Sequence, residues 1–573
     1  MAGFLGLSLA AATWLVMCCD PAFQTDPAGA AGATPPITPW LTILLNALPA
    51  VALAFLLLAI SRRGMFSLLC SIAALYLLYF ANEIKLDLLD TPLLPGDFQL
   101  LAHLGDSGEL LSHYVTTKQL VWVIGGFAFL VLLGVIERQW SWLRGRSRIA
   151  VLALSCALAG SLIFNLPPWK SLYAPDDAEF MSWSPGSSAL EKGLAANLLN
   201  YIWRFSYSLP SINHKAAEQL LSRHPLPAAA PDAADLPDII VVQSESFFDP
   251  ARLNRMDSSE MLPRFRELAA RHRHGDLWVP AYGGGTIRTE FEVLTGLAVR
   301  EFPNVEYPYF SLTRPGMPSL AQVLGSKGYS TVAVHPNSRD FWNRASAFRH
   351  MGFSEFDDVT RFPDDQRLGY YISDQALTDH ILKRLDRATA PMFIFAISIQ
   401  NHGPYDHYPN VDPELVAAQP VPSGINSVAA ARLRGYFHHL EDADHALGEL
   451  VDALSKRRRR SVLLFYGDHL PALPRIYAEL AFDDGAPGPS QPTPWLLIDS
   501  GRPPGPAAPA EATSSFYLPA LLLDAAGIDD RGYFRLLDRL RLADAPARDW
   551  TPPYEEGLRA IMRLQERGEL KVH

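Results

Sequence analysis

The chain has 573 residues, 49% of them hydrophobic and 19% charged, with a formal net charge of −11 at pH 7. That balance argues against a nucleic-acid-binding surface, whose footprint is clustered Lys and Arg. The four cysteines, Cys18, Cys19, Cys70 and Cys156, all fall in apolar stretches, which leaves everything after position 156 without a disulfide, a thiolate nucleophile or a thiolate metal site.

Five apolar runs, at about 4–17, 41–60, 65–80, 120–136 and 149–164, approach the length needed to cross a hydrocarbon core. Arg62 and Arg63 lie between the second and third; Arg138, Arg144, Arg146 and Arg148 lie between the fourth and fifth. By the positive-inside rule both loops face the cytoplasm, and everything after Asn165 then lies outside. A cleaved first segment is the alternative for the first run, since LVMC ahead of Cys19 imitates a lipoprotein cleavage site. The expected organisation is a five-helix transmembrane domain over 1–166, an interfacial helix and linker over 167–237, and an extracytoplasmic domain over 238–573. In the connector, 190–207 is helical and rich in aromatic residues (Tyr201, Trp203, Phe205, Tyr207), which suits the membrane surface or the face of a globular domain. The stretch 225–237, PLPAAAPDAADLP, reads as a linker.

From residue 238 short apolar runs alternate with helical patterns. Strands are expected at 239–242, 331–334, 392–397, 462–465 and 495–498, with helices at 320–327, 374–387 and 429–455. Buried parallel strands separated by helices make an α/β sandwich, and ligands bind such sheets beyond the carboxyl ends of the strands. Four of the five strands end in polar or ionisable residues: Ser244-Glu245-Ser246; His335-Pro336-Asn337, followed by Phe341-Trp342-Asn343-Arg344; Gln400-Asn401-His402; and Gly467-Asp468-His469. These groups converge on one edge of the sheet.

A further stretch, AYGGGTIRTEFEVLTG at 281–296, places Thr286 where a glycine turn opens into a helix, among free N–H groups at the positive end of the dipole. A plain N-cap is the competing reading of that threonine. Glu245, Thr286, Asp468 and His469 supply three oxygens and one imidazole nitrogen, a hard set suited to one Mn²⁺ or Mg²⁺ ion, with Zn²⁺ less suited. A cation beside Thr286 would make its hydroxyl a useful nucleophile. Arg344, as a bidentate fork, and His402 are candidates to bind phosphate; His335 is a candidate substrate contact or acid–base; Trp342 offers a flat wall to the substrate.

Five segments in order, ESFFD (245–249), GGTIRTEFE (284–292), FWNR (341–344), NHGPY (401–405) and YGDHLP (466–471), resemble the lipoteichoic acid synthase and glucan phosphoglycerol transferase family, a membrane-anchored branch of the alkaline phosphatase/sulfatase superfamily. The resemblance covers about 238–527, and the multi-span front end suits it. It implies an α/β sulfatase-like domain with a largely parallel sheet, metal ligation by Glu245, Thr286, Asp468 and His469, and a Thr286 nucleophile. It implies phosphoglycerol contacts from His335, Trp342, Arg344 and His402. The implied reaction moves glycerol phosphate from phosphatidylglycerol through a phosphothreonine to an envelope glycan or glycolipid, leaving diacylglycerol, in an enzyme of the inner membrane. Thr286 stands where sulfatases carry a Cys or Ser that becomes formylglycine, and this argues against sulfatase activity. The alternatives are a membrane-anchored phosphodiesterase or phosphatase and a phosphoethanolamine transferase, although the last usually has disulfides that cannot form here. Two smaller features complete the reading: KRRRR at 456–460 is a lipid-headgroup patch or a helix C-terminal complement, and Asp97 is a candidate lipid or acceptor contact.

Overall fold

The computed structural model describes residues 1–23, 39–89, 92–95, 97–100, 117–140, 143–173, 189, 192–205, 211–226, 235–256, 261–302, 305, 307–405, 409–502, 505, 509–530, 532–543 and 556–571. Most of the expected 225–237 linker, most of loop 21–39, residues 101–116 and Tyr207 lie outside the described residues. The chain forms two compact units, Met1–Leu209 and Pro210–His573.

The first unit is helical: α1 (Ala2–Cys19), α2 (Pro39–Ser61), α3 (Gly64–Leu89), α4 (Thr117–Ile136), α5 (Arg146–Ile163) and α6 (Leu194–Phe205). Among the described residues, Ala2–Cys19, Trp40–Ser61, Gly64–Leu86 and Arg146–Ile163 are long and apolar enough to cross a membrane; α4 contributes a shorter apolar stretch, Val121–Ile136. Helices α1, α2 and α3 pack on one another around Val16, Ala47, Val51 and Leu75.

Helix α6 packs on α2 and α5. Its first-turn N–H groups are caught by side chains, Leu194 N donating to Asp20 Oδ2 at 2.9 Å and Ala196 N to Asn46 Oδ1 at 2.9 Å, which satisfies donors a helix start would leave open. Trp203 donates its indole N–H to Leu162 O at 2.7 Å, and its ring meets Tyr173 edge-on at 5.6 Å. Of the aromatic segment expected at the membrane surface or on the outer domain, Tyr201 and Trp203 are thus buried within the first unit. The Asp97 carboxylate accepts from Lys85 Nζ and Leu94 N, each at 2.6 Å, so it holds its own loop.

The second unit opens with α7 (His214–Arg223), which packs on the C-terminal helix α13 (Glu556–Arg567). Among the described residues, eight strands form its sheet: β1 (Asp238–Ser244), β2 (Arg273–Trp278), β3 (Ser330–Val334), β4 (Glu355–Asp357), β7 (Met392–Ile397), β8 (Ser461–Gly467), β9 (Thr493–Asp499) and β10 (Thr513–Ser514); β5 (Arg367–Leu368) and β6 (Tyr371–Ile372) make a separate small hairpin. The order is β10-β2-β9-β8-β1-β7-β3-β4. β1 lies between β7 (Ile239↔Phe393) and β8 (Asp238↔Ser461), and both pairings are parallel, as are β3 with β7 and with β4. The inner strands are buried along their whole length, as near-continuous Val, Ile, Leu and Phe runs require.

β9, expected among the parallel strands, runs antiparallel to β8 and β2. The chain leaving β8 stays at the carboxyl edge, where the Thr493 hydroxyl donates to Gly467 O at 2.7 Å, so β9 starts beside the end of β8 and runs back. Helices α10 (Asp374–Asp386) and α11 (Ser427–Ser455) pack together, their apolar residues joining the β1, β3, β7 and β8 side chains of one core. The KRRRR run is structural. Arg459 reaches Asp238, the first residue of β1, at 3.2 Å; Arg460 pairs with Asp499 at 2.8 Å and donates to Ala525 O at 2.7 Å, complementing the C-terminus of α12 (Leu518–Ala526).

Candidate active site

Strands β8, β1, β7 and β3 are consecutive parallel neighbours, about 5 Å apart, so the residues just beyond their carboxyl ends share one edge of the sheet. Asp468 and His469 come directly after β8, Glu245 after β1 and His335 after β3, and His402 closes the turn after β7. The β1 and β8 ends approach closely enough that only glycine fits at the last β8 position: a β-carbon on Gly467 would lie 2.0 Å from Phe247 O.

Thr286 reaches this edge from the side. Gly283, Gly284 and Gly285 have φ of 66°, 158° and 74°, a run of conformations that residues with a β-carbon rarely adopt, and Gly283 N donates to Leu470 O at 3.0 Å. Helix α8 (Ile287–Thr295) then begins with Thr286 at its N-cap position, yet the threonine side chain caps nothing. Its Oγ1 lies 3.4 Å from His469 Nε2 instead, which removes the plain-cap reading.

Ligand atoms of Glu245, Asp468 and His469 lie within 4.8 Å of one another, and all three residues are buried. His469 Nε2 is 3.4 Å from Asp468 Oδ2 and 3.6 Å from Glu245 Oε1. Its Nδ1 is turned to Leu470 O at 2.9 Å, which aims Nε2 at the cluster. Asp468 Oδ1 accepts from the backbone N–H of Ser246 and of His469, both at 2.8 Å, while Oδ2 is buried with no hydrogen-bond partner. Burial first, then the charge of Glu245, pushes Asp468 up to about 7. Burial opposes the His469 imidazolium, but the Asp468 and Glu245 carboxylates outweigh it and raise the group. Two crowded carboxylates with an orphaned oxygen, an imidazole nitrogen and a free hydroxyl fit a hard divalent cation.

The neighbouring corner is built differently. Arg344, the first residue of α9 (Arg344–His350), is buried, but its Nε (3.1 Å to Oε2) and Nη2 (2.6 Å to Oε1) are held by Glu290, one turn beyond Thr286 on α8; Tyr309 donates its hydroxyl to the same carboxylate at 3.0 Å. Arg344 therefore does not offer the bidentate fork expected of it. Only Nη1 is without a partner, and it is buried. His335 lies close to Arg344 and His402; burial, then Arg344, holds it well below its ordinary value, and its Nδ1 is bonded to Ile397 O at 3.1 Å. His402 is half-buried, with Nδ1 2.8 Å from Gly403 O and its ring edge-on to Tyr371. Trp342 and Asn343 both have φ of 60°, and Trp342 is half-buried with its ring 5.0 Å from that of Tyr307. The left-handed pair is held in place by Asn343 Nδ2, which donates to Tyr309 O at 2.9 Å.

Sequence reasoning missed Glu290, Tyr309 and Ser398, and named Ser246 only as one of the polar residues after β1. Ser246 donates its hydroxyl to Glu245 Oε1 at 2.8 Å, and the Ser398 hydroxyl accepts from Glu245 N at 2.9 Å. Glu290 carried a signal in its helical spacing from Thr286; Tyr309 and Ser398 carried none.

Residues 237–528 match the family described as Sulfatase. A Rhizobium meliloti (strain 1021) protein named for cyclic β-1,2-glucan modification is 29% identical over 428 residues, 71% of this chain and 63% of that one. Lipoteichoic acid synthase 1 of Bacillus subtilis (strain 168) is 26% identical over 156 residues, 26% of this chain and 23% of that one. This chain thus spans less than two thirds of the length of either relative. Among solved structures, the Streptococcus pyogenes phosphoglycerol transferase GacH in complex with sn-glycerol-1-phosphate aligns with TM-score 0.48 and 18% identity, covering 63% of this chain and 94% of that one.

Proposed function

The chain belongs to the sulfatase family, and from that premise we propose that it is a membrane-anchored, metal-dependent phosphoglycerol transferase. Thr286 is the nucleophile, phosphatidylglycerol the donor, and an envelope glycan or glycolipid the acceptor. The observation that carries this reading is the Thr286 hydroxyl, unused as a helix cap and 3.4 Å from His469 within a buried cluster that has an orphaned carboxylate oxygen. The names of the relatives, glucan modification and lipoteichoic acid synthesis, support the substrate classes. The absence of any cysteine after Cys156 leaves Thr286 at the nucleophile position and argues against sulfate-ester chemistry.

In the proposed reaction Thr286 gives up its hydroxyl proton and its Oγ1 attacks the phosphorus of the lipid headgroup. The bond from phosphorus to the diacylglycerol oxygen breaks, and diacylglycerol leaves with a proton. An acceptor hydroxyl then loses its proton, attacks the phosphothreonine and restores Thr286. Glu245, Thr286, Asp468 and His469 would hold a divalent cation, Mn²⁺ or Mg²⁺ rather than Zn²⁺, which when bound would lower the cost of deprotonating Thr286 and steady charge on the phosphoryl oxygens. Arg344 Nη1 donates to those oxygens, and His402 lies beside them as a phosphoglycerol contact. His335, neutral and bonded through Nδ1, keeps Nε2 as an acceptor for the glycerol hydroxyls, and Trp342 walls the glycerol. The helices of the first unit keep the enzyme in the bilayer with its donor, and the arginine-rich loops put the second unit on the periplasmic or extracellular side. Incubating the full-length protein with headgroup-labelled phosphatidylglycerol and Mn²⁺ tests this. Diacylglycerol together with a glycerophosphorylated glycan is the expected product pair; release of free glycerol phosphate alone identifies a hydrolase.

A further inference from the structure

Glu290 does more than neutralise a buried arginine. It takes two of the three guanidinium nitrogens of Arg344 in a pair whose side chains are 0% and 2% exposed, and it leaves Nη1 as the one donor without a partner. A pair buried that completely presents dipoles to a ligand but no net charge. Of the two histidines in this corner, His335 is held neutral by burial and by Arg344, and His402 gives its Nδ1 side to Gly403 O at 2.8 Å. On the metal side, Glu245 and Asp468 would between them cancel the charge of one divalent cation. A ligand entering this site is therefore offered directed donors in near-neutral surroundings.

A phosphodiester carries one negative charge, whereas a phosphomonoester carries about −1.5 to −2 at pH 7. Each uncompensated charge brought out of water is costly. We propose that Glu290 is a specificity determinant that tunes this site to phosphodiester monoanions and against phosphomonoester dianions. The inference rests on the reading of the Arg344 corner as the phosphate-binding part of the site. It explains why an arginine beside a phosphate would be tied off by a carboxylate: the tie removes the net positive charge that a dianion would exploit and keeps one donor for a monoanion.

The test is calorimetric binding of dimethyl phosphate and methyl phosphate to the full-length Mn²⁺-loaded protein at pH 8, for the unaltered chain, Glu290→Gln and Glu290→Asp. The unaltered chain should favour dimethyl phosphate; Glu290→Gln should move the affinity ratio about tenfold toward methyl phosphate, the scale of one unpaired neighbouring charge, and Glu290→Asp should leave it near the original. Equal weakening of both ligands in Glu290→Gln would reduce Glu290 to a prop for Arg344 and overturn the proposal. Should Glu290→Gln fail to fold, the unaltered protein still decides: preference for the dianion, or none, overturns it. If Arg344→Ala changes binding of neither anion, the phosphate-corner reading falls and this inference with it. Normal turnover of phosphatidylglycerol by Thr286→Ala sinks the nucleophile assignment but leaves the anion ratio intact.

Discussion

The two corners of the site hold their groups in place by different means. At the β1/β8 edge, backbone decides: Glu245, Asp468 and His469 sit one or two residues beyond adjacent strand ends, Gly467 lets those ends touch, and two main-chain N–H groups fix Asp468 Oδ1. At the β3/β7 edge, side chains decide: Arg344 is placed by Glu290, Glu290 by Tyr309, and the strained Trp342–Asn343 turn by Tyr309 O. A corner set by backbone should lose function when a ligand or the chain path is altered. A corner set by side chains should respond to changes in shape at constant charge.

The largest effect separates chemistry from assembly in the first corner. Thr286→Ala removes the nucleophile while Glu245, Asp468 and His469 remain; lipid turnover should fall by at least about 10³-fold and Mn²⁺ binding by much less. Loss of both together would mean that Thr286 is the dominant ligand of the cation site and not a minor one beside Glu245, Asp468 and His469. In the second corner, Arg344→Lys keeps the charge but cannot reproduce two contacts to Glu290 and a third free donor. Turnover should drop about 10²-fold with Mn²⁺ affinity unchanged, read by the same pair of assays. A lysine that worked nearly as well would show that only the charge matters there. Gly467→Ala attacks the backbone of the first corner: its β-carbon would meet Phe247 O at 2.0 Å, so the β8 end must move and carry Asp468 with it. The expected cost is about 2–3 kcal/mol in thermal unfolding, with weaker Mn²⁺ binding as the signature that places the damage.

The same division explains what could be read in advance. The runs at 239–242, 331–334, 392–397, 462–465 and 495–498 lie inside β1, β3, β7, β8 and β9, and the residues after the first four lie on one edge. Strand existence and chain order suffice for a backbone-built corner. The direction of β9 was not legible, because an apolar run buried on both faces looks the same whichever way it runs. β2 carries His, Arg and Asp, and β4 and β10 are two or three residues long, below the length at which a period shows. In the second corner Arg344 was found but its state was not, since its partner lies 54 positions earlier in a helical TEFE that resembles any solvated face. An aromatic helix is equally ambiguous: nothing in the pattern of α6 told that Asp20 and Asn46 would hold its first turn.

The smallest effect concerns the support behind the second corner. His335 N donates to Asp357 O at 2.9 Å, and the Asp357 side chain, 2% exposed, is held by His380 Nε2 at 2.8 Å and by Arg384 at 2.6 and 2.7 Å. Burial alone would raise this carboxyl, but the bonds from His380 and Arg384 outweigh it and bring it down to about 2. A carboxyl whose folded value lies below its unfolded one, near 4, stabilises the fold fully above that unfolded value, and the contribution fades as pH falls from about 4 toward 2. Its size is about 2 kcal/mol, from the usual conversion of a shift of nearly two pH units. Asp357→Asn should therefore lower stability by that amount at pH 7 in melts of the full-length protein and flatten the loss of stability below pH 4. Because the support reaches the site only through the backbone of His335, the variant should weaken dimethyl phosphate binding slightly and leave Mn²⁺ affinity alone. A matching fall in Mn²⁺ affinity would show that the two corners are one mechanical unit.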